Sequence, residues 1–350
     1  MERPQNFYLK VYESIKIVKG YKRNLIYSLQ DNKYLLLNDT IFNFITKYNH
    51  CELSEIYNNC NKDIFNECLN YLIENDFAFF CLKEEIECFT VYNNVFQNVS
   101  LVDHLILDIN DLEVFSIQEL VSQINLLKCK FVQIRFYSKF SISDLIRILE
   151  SFNFSTIVCI EIIIQFSSEF DLDSIKGLFV KFLNITSILV HSSPLDSFFQ
   201  SDSPKASIIY TKNIIQDETC CGNISPYYFS INNKTFFESQ NYNTCLNRKI
   251  SIDVNGNIKN CPSMKNSFGN IATTSLLEAI EMDGFKDLWY IHKDQIEVCK
   301  DCEFRHICTD CRAYIQDPNN KYSKPAKCSY NPYTATWGDE NPTNNPLYGQ

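Results

Sequence analysis

The sequence lacks the features that usually identify membrane, secreted and nucleic-acid-binding chains. No run approaches the roughly eighteen uninterrupted apolar residues of a membrane span. Residues 1–10 carry charges at Glu2, Arg3 and Lys10 and have no apolar stretch of signal-peptide length. The net charge of −10 argues against a nucleic-acid surface, which needs a basic patch. We therefore expect a soluble, cytoplasmic protein with neither membrane nor nucleic acid as a partner.

Glycine is also scarce, with eight residues in the chain, and both the P-loop and the dinucleotide-binding glycine patterns are absent. Nucleotide binding therefore has no support. The 45% of apolar residues excludes a mainly disordered chain. No pattern of serine, histidine and aspartate identifies catalytic residues, which stay unknown at this level.

Cysteine, in contrast, is abundant, and seven of the sixteen cysteines form one interlocking pattern in the last third of the chain. They are Cys245 and Cys261, with Gly256 between them, then Cys299, Cys302, Cys308 and Cys311 as two C-x2-C pairs, and finally Cys328. Thiolates are the soft ligands that bind iron–sulfur clusters or zinc. In a reducing compartment such pairs more often bind metal than form disulfides. The pattern predicts a metal site, with iron–sulfur favoured and zinc as the alternative.

This pattern resembles the SPASM domain, a cysteine-rich module at the C-terminus of radical SAM enzymes that modify peptides. The resemblance holds except that Cys308 and Cys311 are separated by two residues instead of three. It implies two 4Fe–4S clusters, one of them held by Cys299, Cys302, Cys308 and Cys328. Three corners of the other cluster would be held by Cys245, Cys261 and Cys311. The candidates for its fourth corner are Cys220 and Cys221.

Local patterns around these cysteines predict regular elements. Lys249 to Lys259 reads as a hairpin with Asn255-Gly256 in a type I′ turn. Thr273 to Lys286 has helical spacing of its apolar residues and would connect the two cysteine groups.

The first 88 residues form a second unit. Phe7 to Val18 alternates as a strand, and a hairpin surrounds Asp31-Asn32. One helix starts at Asn38 or Asp39, and another runs from about Asn61 to Glu74. This layout resembles the winged-helix-like, PqqD-like element that holds a precursor's leader peptide as an added strand. A purely structural α+β module is the alternative.

Residues 89–218 alternate strand and helix, which predicts a parallel sheet as a degenerate partial (β/α) barrel. A radical SAM domain shares this architecture but needs a C-x3-C-x2-C motif after its first strand, and the motif occurs nowhere in the chain. SAM is therefore not expected as a cofactor. The whole chain is predicted to be α/β, with a SPASM-like domain at 219–335 and an irregular tail at 336–350.

Residues 18–23, 28–30 and 328–334 resemble the SPASM peptide maturases of grasp-with-spasm systems. That resemblance implies maturation of a ribosomal precursor peptide together with an ATP-grasp ligase. In one hypothesis the protein is an accessory binding module with structural clusters and no SAM cleavage. In another it is a redox enzyme with an open cluster iron, and a third is a zinc-stabilised scaffold.

Metal analysis of anaerobically purified protein distinguishes these hypotheses. We expect about eight iron and eight sulfide per chain, the content of two 4Fe–4S clusters. Cys302→Ala and Cys261→Ala should each lose about half, because each removes a ligand from a different predicted cluster. Stoichiometric zinc without sulfide would contradict the redox hypothesis and leave the scaffold.

Overall fold

The computed structural model describes residues 6–89, 100–201 and 206–338. The N-terminal unit contains a three-stranded antiparallel sheet, a two-stranded sheet and three helices. Its strands are β1 (Tyr8–Val11), β2 (Ile15–Lys19), β3 (Asn24–Ser28), β4 (Lys33–Leu37) and β5 (Ala78–Cys81). Its helices are α1 (Asp39–Tyr48), α2 (Leu53–Asn59) and α3 (Lys62–Glu74). β2, β3 and β4 pair in that order, and β1 pairs with β5.

Local sequence explains most of these elements. The Asn38 side chain accepts a hydrogen bond from Ile41 N at 2.8 Å and starts α1 as its N-cap. Asn32 adopts a positive φ of 54° in the β3–β4 turn, as a hairpin at this position requires. The single strand predicted over Phe7–Val18 is wrong, since a turn between Tyr12 and Ile15 divides it. The two halves then pair with different partners, and α2 was not predicted.

The central unit is a parallel-rich sheet flanked by helices. Its parallel strands are β6 (His104–Ile109), β7 (Phe131–Phe136), β8 (Cys159–Gln165), β9 (Ile185–His191) and β11 (Ala206–Tyr210). Connecting helices are α4 (Ile117–Leu127), α5 (Ile142–Ser151) and α6 (Leu172–Lys181). This confirms the prediction of an α/β chain with a parallel sheet.

Three further strands extend this sheet beyond the prediction. β10 (Ser197–Ser201) pairs antiparallel with β11 at one edge. At the other edge β12 (Lys249–Ile252) runs parallel to β6 and pairs with β13 (Ile258–Lys259). The order is β10-β11-β9-β8-β7-β6-β12-β13. The predicted hairpin of the cysteine-rich region is therefore an integral part of the central sheet.

The two faces of the sheet have different environments because side chains alternate along each strand. Leu107, Ile134 and Ile162 point into a large apolar core shared with the flanking helices. The neighbouring positions Asp108 and Arg135 belong to the opposite face, where residues of the C-terminal third cover them. That face therefore forms the floor of the cysteine-rich region.

Two local predictions in the C-terminal third are wrong. The predicted helix over Thr273–Lys286 is confined to α8 (Leu276–Glu281), which Ser275 caps, and Gly284 beyond it has a φ of 86°. The turn before β13 is not type I′, because only Gly256 of the Asn255-Gly256 pair has a positive φ. The Asp253 side chain closes this loop by accepting the N–H groups of Asn255 and Asn257 at 3.0 and 2.9 Å.

Outside this hairpin, the C-terminal third contains little regular structure. Its other α-helix within the described residues is α7 (Asn233–Ser239). Most of the predicted tail, residues 339–350, lies outside the described residues. No helix in the described part of the chain is long and apolar enough to cross a membrane.

The N-terminal unit docks on the C-terminal third through the β2–β3 hairpin. Val18, Leu25 and Tyr27 share an apolar core with Phe304 and Ile307. At the turn, Tyr21 N donates to Asp301 O at 2.8 Å. A Cβ on Gly20 would lie 2.4 Å from Arg23 O and 2.9 Å from Glu303 Cβ, so only glycine fits this close approach.

A buried carboxylate anchors the same contact. Glu303 is fully buried, and it accepts hydrogen bonds from Arg23 Nε and the Tyr330 hydroxyl. The Arg23 guanidinium also lies over the rings of Phe304 and Tyr330, at 5.6 and 5.7 Å from their centroids. The cation therefore contributes both charge pairing and packing at this interface.

Arg23→Ala should lower the stability of the chain, because it leaves the Glu303 carboxylate buried without its cation. We expect a loss of about 1–3 kcal/mol, measured as a lower midpoint of urea unfolding under anaerobic conditions. Arg147→Ala is the matched control, since its pair with Asp144 is exposed, and it should change the free energy by less than about 0.5 kcal/mol. Equal effects of the two substitutions would contradict this account of the interface.

Candidate metal centre

Five cysteines of the C-terminal third line one cavity of about 870 Å³. One is Cys220, and the other four are Cys221, Cys245, Cys261 and Cys311. The sheet face formed by β6, β7 and β8 makes the opposite wall, with Ile106, Gln133 and Glu161 among its residues. The volume lies within the roughly 300–1,000 Å³ of small-molecule and cofactor sites. We refer to these four cysteines as the first thiol group.

Polar contacts hold the backbone that carries Cys245. The Asn243 side chain accepts the N–H groups of Cys245 and Leu246 at 3.0 and 2.9 Å. Its amide donates to Ile291 O at 3.0 Å and to a carboxylate oxygen of Asp310. Asn243 thus joins the Cys245 turn to Ile291, before the first C-x2-C pair, and to Asp310, within the second pair. Cys261 follows directly after β13, as its position beyond the predicted hairpin implied.

Close packing brings the segment of Cys221 against Cys311. Gly222 has a φ of 84°, and a Cβ there would lie 2.9 Å from Cys311 Sγ and 2.8 Å from the Tyr314 ring. Glycine is therefore required beside the thiol by both conformation and space. The Lys327 amine donates to Cys221 O at 2.6 Å and fixes the same turn.

A lysine lies among the thiols of this first group. Lys249 Nζ is 3.5 Å from Cys245 Sγ. Burial lowers the pKa of Lys249, but the nearby thiols of Cys245 and Cys261 outweigh burial and hold the pKa above its usual value. Burial, followed by the neighbouring thiol of Cys245, raises the pKa of Cys261 to about 11. When the site binds a metal, its thiols become thiolates, and the cation of Lys249 beside them balances part of their negative charge.

The structure separates the two upstream candidates, Cys220 and Cys221. Cys220 packs against an apolar cluster that contains Leu189 and Ile215. Cys221 instead receives a hydrogen bond from Arg135 Nη1 at 2.8 Å. The hydrogen bond from the Cys220 thiol and the guanidinium of Arg135 lower the pKa of Cys221 to about 6, against the effect of burial. Of the two, Cys221 has the environment of a ligand.

The remaining four cysteines of the pattern form a second thiol group around another lysine. Its members are Cys299, Cys302, Cys308 and Cys328. Lys293 is buried, with Nζ 3.9 Å from Cys299 Sγ and 3.4 Å from Asp310 Oδ1. Burial lowers the pKa of Lys293, but the thiols of Cys299 and Cys308 and the Asp310 carboxylate hold it well above its usual value.

Tight turns present the second group. Cys302 N donates to Cys299 O at 3.0 Å, and Cys308 N donates to Phe304 O at 2.9 Å. Val298, just before the first of these cysteines, has an unusual φ of 65°. Burial raises the pKa of Cys308 to about 12, so without a metal its thiol stays protonated at neutral pH. Ligation by a metal offsets this cost, because a coordinated thiolate shares its charge with the cation.

The two groups together contain the seven cysteines of the sequence pattern, and Cys221 lies in the first of them. Within the described ranges, no three cysteine, histidine, aspartate or glutamate side chains converge closely enough to hold a single metal ion. The thiols lie as neighbours around a cavity or a lysine. The donor set, eight sulfurs in two groups of four, fits two iron–sulfur clusters.

Residues 244–303 match the model of the SPASM family, described as an iron–sulfur cluster-binding domain. The C-terminal third therefore contains a SPASM iron–sulfur domain. Four of the cysteines lie inside the matched range, and Cys221, Cys308, Cys311 and Cys328 lie outside it. No curated protein matches the chain.

Among solved structures, the chain is similar to Streptococcus suis SuiB bound to S-adenosylmethionine. The identity is 11%, the match covers 91% of this chain and 98% of that chain, and the TM-score is 0.31. SuiB bound to the precursor peptide SuiA matches at 11% identity over 87% of this chain and 96% of that chain, with a TM-score of 0.28. Likeness at this level does not determine the fold details or the activity of this chain.

Cys221→Ser should reduce the iron of the first site, whereas Cys220→Ser should not, because Cys221 receives the hydrogen bond of Arg135 while Cys220 packs against an apolar cluster. We expect the first variant to lose up to about four iron per chain and the second to keep the wild-type content. Iron and sulfide analysis of anaerobically purified protein measures both. The reverse result would assign Cys220 as the ligand.

Proposed function

We propose that the protein takes part in the maturation of a ribosomally synthesised peptide, together with an ATP-grasp ligase. In this proposal the N-terminal unit holds the leader of the precursor, and two 4Fe–4S clusters occupy the first and second thiol groups. The observation that carries it is the docking of the N-terminal unit, through its β2–β3 hairpin, on the loop that bears the second thiol group.

The docking contacts support a structural role for the second cluster. The β2–β3 hairpin packs on the segment between Cys299 and Cys308, with Phe304 and Ile307 in the shared core. Arg305 Nη1 also donates to Lys19 O at 2.8 Å. Since Cys299, Cys302 and Cys308 lie on this segment, ligation would order the surface to which the N-terminal unit binds.

One strand edge of the N-terminal unit is suited to an added peptide strand. β4 pairs with β3 on one side, and within the described residues no strand pairs with its other edge. Leu35 and Leu36 on this strand are 36% and 45% exposed. The other edge strand, β2, leads into the contacts with the C-terminal third. An unpaired edge with exposed apolar side chains favours strand addition at β4.

The carboxyl ends of the parallel strands support a role other than SAM cleavage. Ligand sites of α/β folds lie at these ends. Here Asp108 of β6 and Arg135 of β7 form a buried ion pair near them, and the segment of Ile215 and Cys220 packs on the adjacent strands. The chain itself covers this end of the sheet face, and the cavity lies against the amino-terminal halves of β6, β7 and β8.

Four thiols at the first site also weigh against the redox alternative. An open iron would need a corner without a thiolate, and Cys221 supplies a sulfur for that corner. The clusters are then structural cross-links that stabilise a region with little regular structure. Zinc in place of iron would support the scaffold alternative and is a direct outcome of the metal analysis.

Co-expression tests the proposed function. A candidate precursor peptide and an ATP-grasp ligase from the same organism would be produced with and without this protein, and the peptide analysed by mass spectrometry. We expect loss of one water for each ester or amide bond formed, with more product when this protein is present. Equal modification in its absence would contradict a role in maturation.

Leu36→Lys should weaken binding of the same precursor, because it places a charge on the proposed strand-addition edge. Loss of apolar contact of about 1.5–3 kcal/mol corresponds to at least a tenfold weaker affinity. Fluorescence anisotropy of labelled precursor measures this change. Leu126→Lys is the matched control, since Leu126 is 82% exposed on α4 of the central unit, and it should leave the affinity unchanged.

A further inference from the structure

A fully buried arginine connects the central sheet to the first thiol group. Arg135 lies on β7, and its Nε and Nη2 donate to the two carboxylate oxygens of Asp108 at 2.6 and 2.8 Å. Its Nη1 donates to Cys221 Sγ at 2.8 Å. The bidentate pair fixes the plane of the guanidinium, so the remaining N–H points at the sulfur in one orientation.

Other groups hold the carboxylate in turn. Asp108 is 1% exposed on β6, and the Tyr137 hydroxyl donates to its Oδ2 at 3.2 Å. The Tyr137 ring centroid is 5.6 Å from the guanidinium. A buried arginine remains charged in proteins and requires anionic partners. Asp108 is one partner, and the sulfur of Cys221 is the other.

We propose that Arg135 is a positioning residue of the first metal site. Oriented by Asp108, it holds the Cys221 sulfur in the ligand position and raises the reduction potential of the iron–sulfur cluster bound there. This rests on the proposed function in one respect, that the first thiol group binds a cluster. Reduction adds negative charge to a cluster, and a cationic donor to a ligating sulfur stabilises that charge.

The second thiol group has a different arrangement, which makes the effect specific. There Lys293 lies 3.9 Å from Cys299 Sγ, a longer contact than that of Arg135. Arg312 donates to Asp310 and to the carbonyls of Lys321 and Ser323. Arg305 donates to the carbonyl of Cys302, which is again an oxygen and not a sulfur. Substitution of Arg135 should therefore change the potential of the first cluster and leave the second unchanged.

Redox titration followed by electron paramagnetic resonance tests the proposal on the anaerobically purified full chain. Cys261→Ala identifies the signal of the first cluster by its loss. Arg135→Gln should shift the midpoint potential of that signal to more negative values. Because Arg135→Gln alone leaves Asp108 buried and unpaired, Asp108→Asn with Arg135→Gln removes both charges together and should give a smaller shift in the same direction in a folded protein, as checked by circular dichroism.

Two further variants separate positioning from a general structural effect. Tyr137→Phe removes one contact to Asp108 but leaves the guanidinium on the sulfur, so the potential should stay near that of the wild type. Arg312→Gln is the matched control, because Arg312 donates to oxygen atoms and not to a sulfur of the first group, so it should leave the potential of the first cluster unchanged. A shift of equal size in Arg312→Gln would overturn the proposal.

The failure of this inference can be distinguished from failure of the proposed function. Wild-type protein with two clusters, whose potentials do not move in the charge-free double variant, would overturn the role of Arg135 alone. Wild-type protein without a cluster at the first site would overturn both.

Discussion

The grouping of cysteine thiols around two lysines, Lys249 and Lys293, is the constraint on which the rest of the structure depends. Between residues 211 and 338 the regular structure is limited to two short helices, one small hairpin and isolated turns. Backbone ladders alone therefore contribute little to the stability of this region. Metal ligation in such domains supplies folding free energy directly, because the unfolded chain has no preformed site. The two lysines enclosed by thiols, Lys249 and Lys293, are suited to balance the charge of bound thiolates.

The two sites face different parts of the molecule. The first lies against the central sheet and contacts it through Arg135, whose charge Asp108 pairs. The second lies on the segment that the β2–β3 hairpin covers, where the buried Glu303 meets Arg23. The SPASM domain thus stands between the sheet and the N-terminal unit and contacts both. A change at the first site would affect its contact with the central sheet, and a change at the second site would affect its contact with the N-terminal unit. Variants of the two sites should therefore have separable effects.

The sequence predicted features that depend on local interactions more accurately than features that depend on contacts with other segments. The cap at Asn38 and the helix from about Asn61 to Glu74 depend on local spacing, and the sequence predicted them closely. The helix expected over Thr273–Lys286 is shorter, since its apolar residues continue into a 3-10 turn at Asp287–Tyr290 instead of a continuous helix. The turn at Asn255-Gly256 differs because the Asp253 side chain captures two backbone N–H groups, an interaction that the dipeptide itself does not reveal.

The sequence by itself determined the metal-binding character of the C-terminal third, because thiol chemistry and the spacing of C-x2-C pairs are local properties of the chain. It also determined the parallel sheet through the apolar runs of its strands. Only the tertiary structure decided between Cys220 and Cys221, since adjacent side chains point in different directions and their surroundings come from distant segments. Only the tertiary structure likewise shows the roles of Asp108 and Arg135, because nothing in the sequence distinguishes them from other polar residues of strands. Their pairing and their contact with Cys221 arise from the register of β6 and β7 and from the path of the chain over the sheet.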